Sequence, residues 1–470
     1  MNKEHSMLST LTVIGGGPGG YTAAFAAAGA GMKVTLVEKS ALGGTCLHRG
    51  CIPTKSLKAS ADALSRARRL DAFGIDFVGE PTVNLAAVLN RKNKVITALT
   101  EGLARSCAAL GVTVIRGEGR VSGPGSVSVE TPEGRRVLAS DRILLAIGSS
   151  PLELPSLPFD HVRILSSDDM LKMPALPRRL AIVGGGVIGC EMACIFRTFG
   201  VEVCLIEGLD RLLPLPSVDA DVSRLLLREM KKQGIVCKLG TVVKATSVGD
   251  DGGVTLSLAA SRGEVVGEWH SDAVLVCAGR MPAVDREWFT VGGIDTHPRG
   301  WVTVNQSGET SLEGCYAVGD MLGPGRPMLA HTAAAEARRV VDAMLGKNAS
   351  GEGDLIPSAI FTMPEIGMVG LSEQLARDSG QAVRCVSMHL RELGMAQASG
   401  ELAGQCKLVL REDDGVILGI HLVGAHATEL LGEAGLALSA RMTSARLARV
   451  VHAHPTLSEI FQETALRATL

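Results

Sequence analysis

The segment GGTCLHRGCIPTK, residues 43–55, places Cys46 and Cys51 five positions apart. Two thiols this close can serve as a structural staple, a metal pair or a redox disulfide. On a regular helix, rising ~1.5 Å per residue, five steps turn the chain by about 140° and set the Cα atoms roughly 8 to 9 Å apart, beyond the ~7 Å that a disulfide spans. A bond therefore needs a broken helix, and Gly43, Gly44, Gly50 and Pro53 supply the breaks. A loop so short would stabilise little as a staple, and small strained loops reduce readily. Zinc is a poor fit, because no second Cys or His cluster at ligand spacing lies nearby in sequence. The pair reads as a redox-active disulfide. Lys55, four residues after Cys51, falls on the same helical side once the helix resumes, where a cation favours a thiolate. Taken alone it reads as a surface lysine.

Such chemistry has to be held on a scaffold, and the chain carries a coarse internal repeat. LTVIGGGPGGYTAAFAAAGAGMKVTLVEK (11–39) and LAIVGGGVIGCEMACIFRTFGVEVCLIEG (180–208) each read as strand, glycine loop, helix and strand. Gly15, Gly17 and Gly20 fit G-x-G-x-x-G with Glu38 eighteen residues on; Gly184, Gly186 and Gly189 fit it with Glu207 at the same interval. The first glycine permits the tight turn, the second lets backbone approach a pyrophosphate, and the third lets helix pack on strand. The diphosphate then sits at a helix N-terminus. Two dinucleotide sites are expected. Glu207 ends the second strand of the later unit, where a carboxylate accepts from a ribose 2′-OH and repels a 2′-phosphate, so NAD is expected over NADP. DRILLAIGSSP (141–151) and TSLEGCYAVGD (310–320) read as strands returning to the first nucleotide. Asp320 is placed to bond a cofactor hydroxyl, although a strand ending in Gly-Asp is by itself more often a turn.

The remaining cysteines, Cys107, Cys190, Cys194, Cys204, Cys237, Cys277, Cys315, Cys385 and Cys406, stand mostly among apolar neighbours and read as small hydrophobes. Eleven cysteines, an odd number, in 470 residues do not make a secreted disulfide scaffold. The 47 basic and 49 acidic residues nearly cancel and no Lys/Arg-rich run occurs, which argues against nucleic acid as a partner. Apolar runs such as RILLAIG fall far short of the ~20 residues a membrane span needs, and the opening MNKEHSMLST has no apolar core of a signal peptide. A cytoplasmic, membrane-free enzyme is expected.

GGTCLHRGCIPTK, the doubled glycine loops, AIGSSP, AVGD, MLAHTAAAEARR and the terminal HAHPTLSE together resemble the pyridine-nucleotide disulfide oxidoreductases, and within them the dihydrolipoamide dehydrogenase branch, from about Leu8 to the end. The resemblance implies an α/β fold with two Rossmann-like dinucleotide-binding domains and a C-terminal α+β dimerisation domain. The implied division is 1–150 for the first part of the FAD domain with the redox disulfide, 151–280 for NAD, 281–350 for the central FAD part and 351–470 for dimerisation. It implies FAD on the first unit, held by Gly15, Gly17, Gly20, Glu38, Thr45, Lys55, Gly148, Asp320 and Ala330. NAD is implied on the second, held by Gly184, Gly186, Gly189, Glu207 and Gly279.

Carried over residue by residue, Cys46 is similar to the thiol that exchanges with substrate and Cys51 to the one facing the flavin. Lys55 and Glu191 resemble the ion pair beside the flavin ring. His454 and Glu459 resemble the acid/base and its orienting carboxylate, acting on the partner subunit's disulfide. The residues themselves add support: Pro455 restrains the backbone after His454, and Glu459 lies near enough to hold one imidazole tautomer. His452 reads as structural, and His331 as a buried, hydrogen-bonded residue near the cofactor. The implied reaction oxidises dihydrolipoamide on a lipoyl-bearing carrier, or on the core of a 2-oxoacid dehydrogenase complex, and reduces NAD in a homodimer.

Two positions depart from the family pattern: Met363 stands where relatives usually carry histidine, and Ile147 where threonine is usual. Mercuric reductases and large thioredoxin reductases are disfavoured because no cysteine follows Cys406, and NADPH-using glutathione-type reductases because Glu207 stands where they carry basic residues. A non-catalytic flavoprotein subunit would be expected to have lost part of the set Cys46, Cys51, His454 and Glu459.

Overall fold

The computed structural model describes residues 9–76, 78–249, 252–347 and 355–470. The chain falls into two units, one made of Met1–Ser56, Ala86–Leu152 and Arg280–Asp354, the other of Leu57–Leu85, Glu153–Gly279 and Leu355–Leu470. Within the described residues the chain crosses between the units at 56/57, 85/86, 152/153 and 279/280. Leu57–Leu85, expected with the FAD part, belongs to the second unit, and the boundary expected at 350/351 lies outside the described residues.

In the first unit, five parallel strands run in the order Cys315–Ala317, Arg142–Leu145, Thr10–Ile14, Lys33–Glu38 and Thr113–Arg116. Both faces of this sheet are covered, so the strands are apolar runs whose alternate residues serve different cores. Leu11, Val13, Leu36 and Leu144 enter a core with Ala23, Ala27 and Val340. Ile14, Val37, Ile143 and Leu145 enter another with Trp288 and Phe289. Helix Pro18–Gly29 opens on a proline in its first turn, where a missing N–H costs nothing. Its small residues allow close packing: a Cβ on Gly19 would lie 2.9 Å from a Val318 methyl and 3.5 Å from Ala333. An antiparallel meander, Glu118–Gly123, Ser126–Thr131 and Gly134–Ala139, completes the pattern.

The second unit repeats this plan. Its parallel sheet runs Val236–Lys238, Glu202–Ile206, Arg179–Val183, Ala273–Val276 and Ile164–Leu165, beside a meander of Thr241–Val248, Val254–Ala260 and Val265–Ser271. It also holds a five-stranded antiparallel sheet in the order Ser358–Ile360, Glu365–Gly370, Ile417–Gly424, Gln405–Arg411 and Val383–His389. Leu408, Leu410, Ile420 and Leu422 of that sheet share a core with Leu431, Ile460 and Phe461 from helices Leu431–Ser439 and Glu459–Arg467. Among the described residues, no helix is long and apolar enough to cross a membrane.

Candidate active site

Helix Gly44–Arg49 starts from Gly43 at φ 113° and stops at Gly50, whose φ −144° and ψ −105° leave the helical region; a second helix, Cys51–Ala67, begins at once. The glycines therefore break the helix between the two cysteines, as their spacing requires. The break is also sterically reserved, since a Cβ on Gly50 would stand 3.1 Å from the Thr45 carbonyl oxygen. Cys46 and Cys51, on either side of the break, are half-buried. A hydrogen bond between the two side chains, together with burial and the charge of Cys51, holds Cys46 well above the ordinary thiol range, and the opposing pull of the Lys55 cation is outweighed. Tyr21 feels both sulfurs, and its phenol is raised by burial first and by Cys46 and Cys51 next. No sequence motif had singled out this residue.

Both glycine loops are built alike. In the first, the Gly15 N–H donates to the Val37 carbonyl (2.8 Å), and a Cβ on Gly15, at φ 102°, would lie 2.4 Å from the Ala146 oxygen. A Cβ on Gly20 would lie 1.8 Å from the Gly15 oxygen. Glu38 ends its strand with one oxygen accepting from the Gly16 N–H (2.7 Å) and the other from Ser40 N–H (2.8 Å). In the second loop the Gly184 N–H donates to Ile206 (2.8 Å), and the corresponding Cβ distances are 2.4 Å from Gly184 to the Cys277 oxygen and 1.9 Å from Gly189 to the Gly184 oxygen. Glu207, buried, accepts from Gly185 N–H (2.6 Å) and Leu209 N–H (2.8 Å).

The middle glycines behave differently. Gly17 and Gly186 are the N-caps of helices Pro18–Gly29 and Val187–Thr198, and neither cap has a side-chain hydrogen bond. A Cβ on Gly186 would meet nothing within 4 Å, and one on Gly17 would meet only Gly44 Cα, at 3.8 Å. Each loop thus presents helix N–H groups and an open backbone face, the cradle a dinucleotide diphosphate requires. Both loops fit such a group.

Asp320 follows strand Cys315–Ala317 and accepts from the Ser149 hydroxyl (2.7 Å), with Arg280 at 3.6 Å. Arg280 also donates to Ser149 Oγ (2.5 Å) and to the Ser149 carbonyl (2.7 Å). The adjacent Gly319 N–H is taken by the buried carboxylate of Glu336 (2.8 Å), whose other oxygen pairs with Arg326 (3.1 Å). Ser149, Arg280 and Glu336 had no sequence signal, because these partners are brought together only by the fold. Gly148 (φ 74°) and Gly279 (φ 137°) end the return strands of the two units, and Ala330 starts helix Ala330–Met344. His331 is exposed, against the expectation of burial: Ala333, Ala337, Val340 and Val341 form the helix stripe turned to the core, and position 331 lies off it. Ile147 packs beside the core containing Ile14, Ile143 and Leu145.

In the second unit, His454 Nδ1 and Glu459 Oε1 are 2.8 Å apart, and the other Glu459 oxygen accepts from the Thr456 N–H (2.7 Å). The backbone donor and the imidazole together hold the Glu459 carboxyl below its usual range. His454 is 77% exposed, so its second ring nitrogen faces outward. His452, nearly buried, is held between Glu433 (2.6 Å) and the Val450 carbonyl (3.0 Å), as a structural histidine would be. The buried Glu191 accepts from the Phe361 N–H (2.8 Å).

The first unit thus assembles Cys46, Cys51, Lys55, Thr45, Gly15, Gly17, Gly20, Glu38, Gly148, Asp320 and Ala330, whereas Glu191, Gly184, Gly186, Gly189, Glu207, Gly279, His454 and Glu459 belong to the second. Among the described residues, no cluster of His, Cys, Asp and Glu is arranged to hold a metal ion.

A family model described as pyridine nucleotide-disulphide oxidoreductase matches residues 9–337, and the dimerisation-domain model of the same family matches 356–465. The chain is 37% identical to a dihydrolipoyl dehydrogenase of Chlorobaculum tepidum over 460 residues, covering 97% of this chain and 96% of that one. It is also 37% identical to a dihydrolipoyl dehydrogenase of Bacillus subtilis, with 97% of each chain covered. Among solved structures, LpdA from Mycobacterium tuberculosis superimposes with a TM-score of 0.89 at 27% identity, covering 98% of this chain and all of that one. Relatives of this family named dihydrolipoyl dehydrogenase use FAD and NAD, and with both family models matched in order the chain belongs to the pyridine nucleotide-disulphide oxidoreductases, as an FAD-dependent oxidoreductase that carries their dimerisation domain.

Proposed function

We propose that the enzyme oxidises protein-bound dihydrolipoamide to lipoamide and reduces NAD to NADH, working in the cytoplasm on a lipoyl-bearing carrier or the core of a 2-oxoacid dehydrogenase complex. The observation that carries this reading is the pair of half-buried cysteines, Cys46 and Cys51, set on either side of the Gly50 break that lets them approach each other. Gly15, Gly17, Gly20, Glu38, Thr45, Lys55, Gly148, Asp320 and Ala330 hold FAD in this reading; Gly184, Gly186, Gly189, Glu207 and Gly279 hold NAD. Lys55 and Glu191 flank the flavin ring as its ion pair.

His454, oriented by Glu459, removes a proton from one substrate thiol. The resulting thiolate attacks Cys46 Sγ, the Cys46–Cys51 bond breaks, and Cys51 departs as a thiolate. The second substrate sulfur, deprotonated in turn, attacks the first; lipoamide closes its own disulfide and Cys46 is released. FAD, when bound, supplies the carrier that takes the electron pair from the dithiol and delivers it as hydride to NAD. Glu207 selects NAD by repelling a 2′-phosphate.

The dimerisation domain supports a homodimer, and we place His454 of each chain at the other chain's disulfide. Mixed dimers of a Cys51→Ser chain with a His454→Ala chain, isolated through two different tags, test this. A shared site leaves one complete site per dimer and about half of wild-type dihydrolipoamide oxidation. Activity no higher than either parent would rule the shared site out. His454→Ala alone should retain electron transfer from NADH to a dye while losing dihydrolipoamide oxidation, and loss of both would remove His454 from the thiol step.

A further inference from the structure

Helix Val187–Thr198 offers Glu191, Cys194 and Thr198 at i, i+3 and i+7, a single stripe along one face. All three side chains meet one turn of the C-terminal part of the same unit, between strands Ser358–Ile360 and Glu365–Gly370. Glu191 Oε1 accepts from the Phe361 N–H at 2.8 Å. Burial pushes the Cys194 thiol up to about 12, and the Met363 backbone beside it pulls the other way. The Thr198 hydroxyl donates to the Cys194 carbonyl at 2.8 Å, and its oxygen rests 3.5 Å from Met363 Sδ. On the far side the turn is held by Gln233, whose Nε2 donates to the Met363 carbonyl at 2.6 Å, while Gln233's own carbonyl takes the Arg197 Nε–H at 2.7 Å. Within the turn, Thr362, fully buried, closes on the Pro364 carbonyl at 2.6 Å. Immediately after it, Glu365 lies 3.7 Å from the buried Lys58, on the helix that begins at Cys51.

The consequence is geometric. Glu191 is buried, and a carboxylate in such a place points where its fixed donors direct it. The Phe361 N–H can direct it only if the turn is itself immobile. Gln233 holds it through the Met363 carbonyl, and Thr198 packs against the Met363 sulfur. We propose that the Phe361–Met363 turn is a positioning element of the redox centre, setting the orientation of Glu191 through the Phe361 N–H, with Gln233 and Thr198 as its clamps. The inference rests on the reading of Glu191 as the carboxylate beside the flavin. It also gives Met363, a departure from the family pattern, a definite role, since its main chain and its sulfur are the points at which the turn is gripped.

The test uses purified FAD-loaded dimers. Gln233→Leu removes the amide donor at similar volume, and Thr198→Val removes the hydroxyl at nearly constant shape, so the second serves should the first fold poorly. Two signals are followed: the long-wavelength flavin–thiolate absorbance after two-electron reduction, and dihydrolipoamide turnover. Gln233→Leu should lower turnover about 3- to 10-fold, the scale of one lost hydrogen bond, and weaken the absorbance, with Thr198→Val the milder change in the same direction. Introduced into a Glu191→Gln background, either clamp change should add less than about 2-fold, because the group it orients is already gone. Full additivity of the clamp and Glu191 changes would overturn the positioning role while leaving Glu191 at the flavin. Unchanged absorbance and turnover in Glu191→Gln itself would overturn the placement of Glu191, and the turn's role with it.

Discussion

The two glycine-loop regions are nearly superimposable in their logic and differ in the segment that comes after their second strand. Both place the first glycine under a return strand, both press the third against the first, and both satisfy the loop with a carboxylate at the strand end, Glu38 or Glu207. In each, the loop's second residue offers its carbonyl to the next segment: Gly16 O accepts from the Gly43 N–H and Gly185 O from the Leu213 N–H, both at 2.8 Å. The difference lies in that segment. After Glu38 it becomes the segment 43–51, which carries the half-buried Cys46 and Cys51 across the helix break at Gly50. After Glu207 it becomes GLDRLLPLPSVD, with Leu212 and Leu213 fully buried and no thiol. The same position carries two cysteines in one copy and apolar packing in the other.

The most forceful way to break this equivalence is at the third glycines. A methyl on Gly20 or Gly189 would come within 1.8 or 1.9 Å of a backbone oxygen, which cannot swing aside as a side-chain end can. Overpacking of this kind costs about 1–3 kcal/mol or more. Both alanine variants should unfold at lower temperature, but their cofactor losses should separate. Gly20→Ala should purify with little flavin, whereas Gly189→Ala should keep its flavin and lose NADH oxidation at least about 100-fold, a barrier increase of roughly 2.7 kcal/mol. Flavin absorbance per chain and NADH-to-dye rates measure the two; equal flavin loss in both would mean that the loops do not hold separate nucleotides.

The equivalence of the loops was legible in sequence because each glycine answers a local demand, within about twenty residues of a strand, a turn and an acid. The helix break at Gly50 was legible for the same reason. The grip on Asp320 was not: Ser149 lies 171 residues before it, and Arg280 reaches back across 131 residues to Ser149, with no periodic pattern joining them. Glu191 and Phe361 are likewise 170 residues apart, and the donor is a main-chain N–H that every non-proline residue possesses. His331 failed differently. Its neighbours MLAHTAAAEARR resemble a family motif, yet the helix turns Ala333 and Ala337 inward and position 331 outward. Motif spacing thus located the loops and their acids, while long-range partners and helix facing had to come from the fold.

A finer distinction separates the two acids. Glu207 is buried and tied to Gly185 and Leu209, so its charge stands in a fixed place at the end of its strand. Glu207→Gln keeps an acceptor for one of those N–H groups but no longer repels a 2′-phosphate. Preference for NAD over NADP, taken as a ratio of kcat/KM values, should fall about 10- to 100-fold, or roughly 1.4–2.7 kcal/mol. Glu38→Gln should leave that ratio untouched and act only on flavin retention. An unchanged ratio in Glu207→Gln would show that something other than this carboxylate reads the ribose.

The smallest effect is expected at the middle glycines, where fold and ligand can be separated most cleanly. Gly17 and Gly186 have φ near −74° and −75°, a region open to any residue, so alanine brings no backbone strain. Nor does it bring a clash: the added methyl on Gly186 faces open space, and that on Gly17 makes an ordinary contact with Gly44. Folding stability should therefore change by no more than about 0.5 kcal/mol, as at an unremarkable surface site. The cost should appear only when a diphosphate approaches, because the methyl stands where the backbone must come close to it. Gly186→Ala should raise KM for NAD about 10-fold with an unaltered unfolding temperature and full flavin content, and Gly17→Ala should weaken flavin retention at unaltered stability of the flavin-free chain. The decisive comparison is within one loop: Gly189→Ala loses stability and binding together, Gly186→Ala binding alone. If Gly186→Ala destabilised the protein as much as Gly189→Ala, the middle glycine would be there for packing, and the open cradle would lose its claim to the nucleotide.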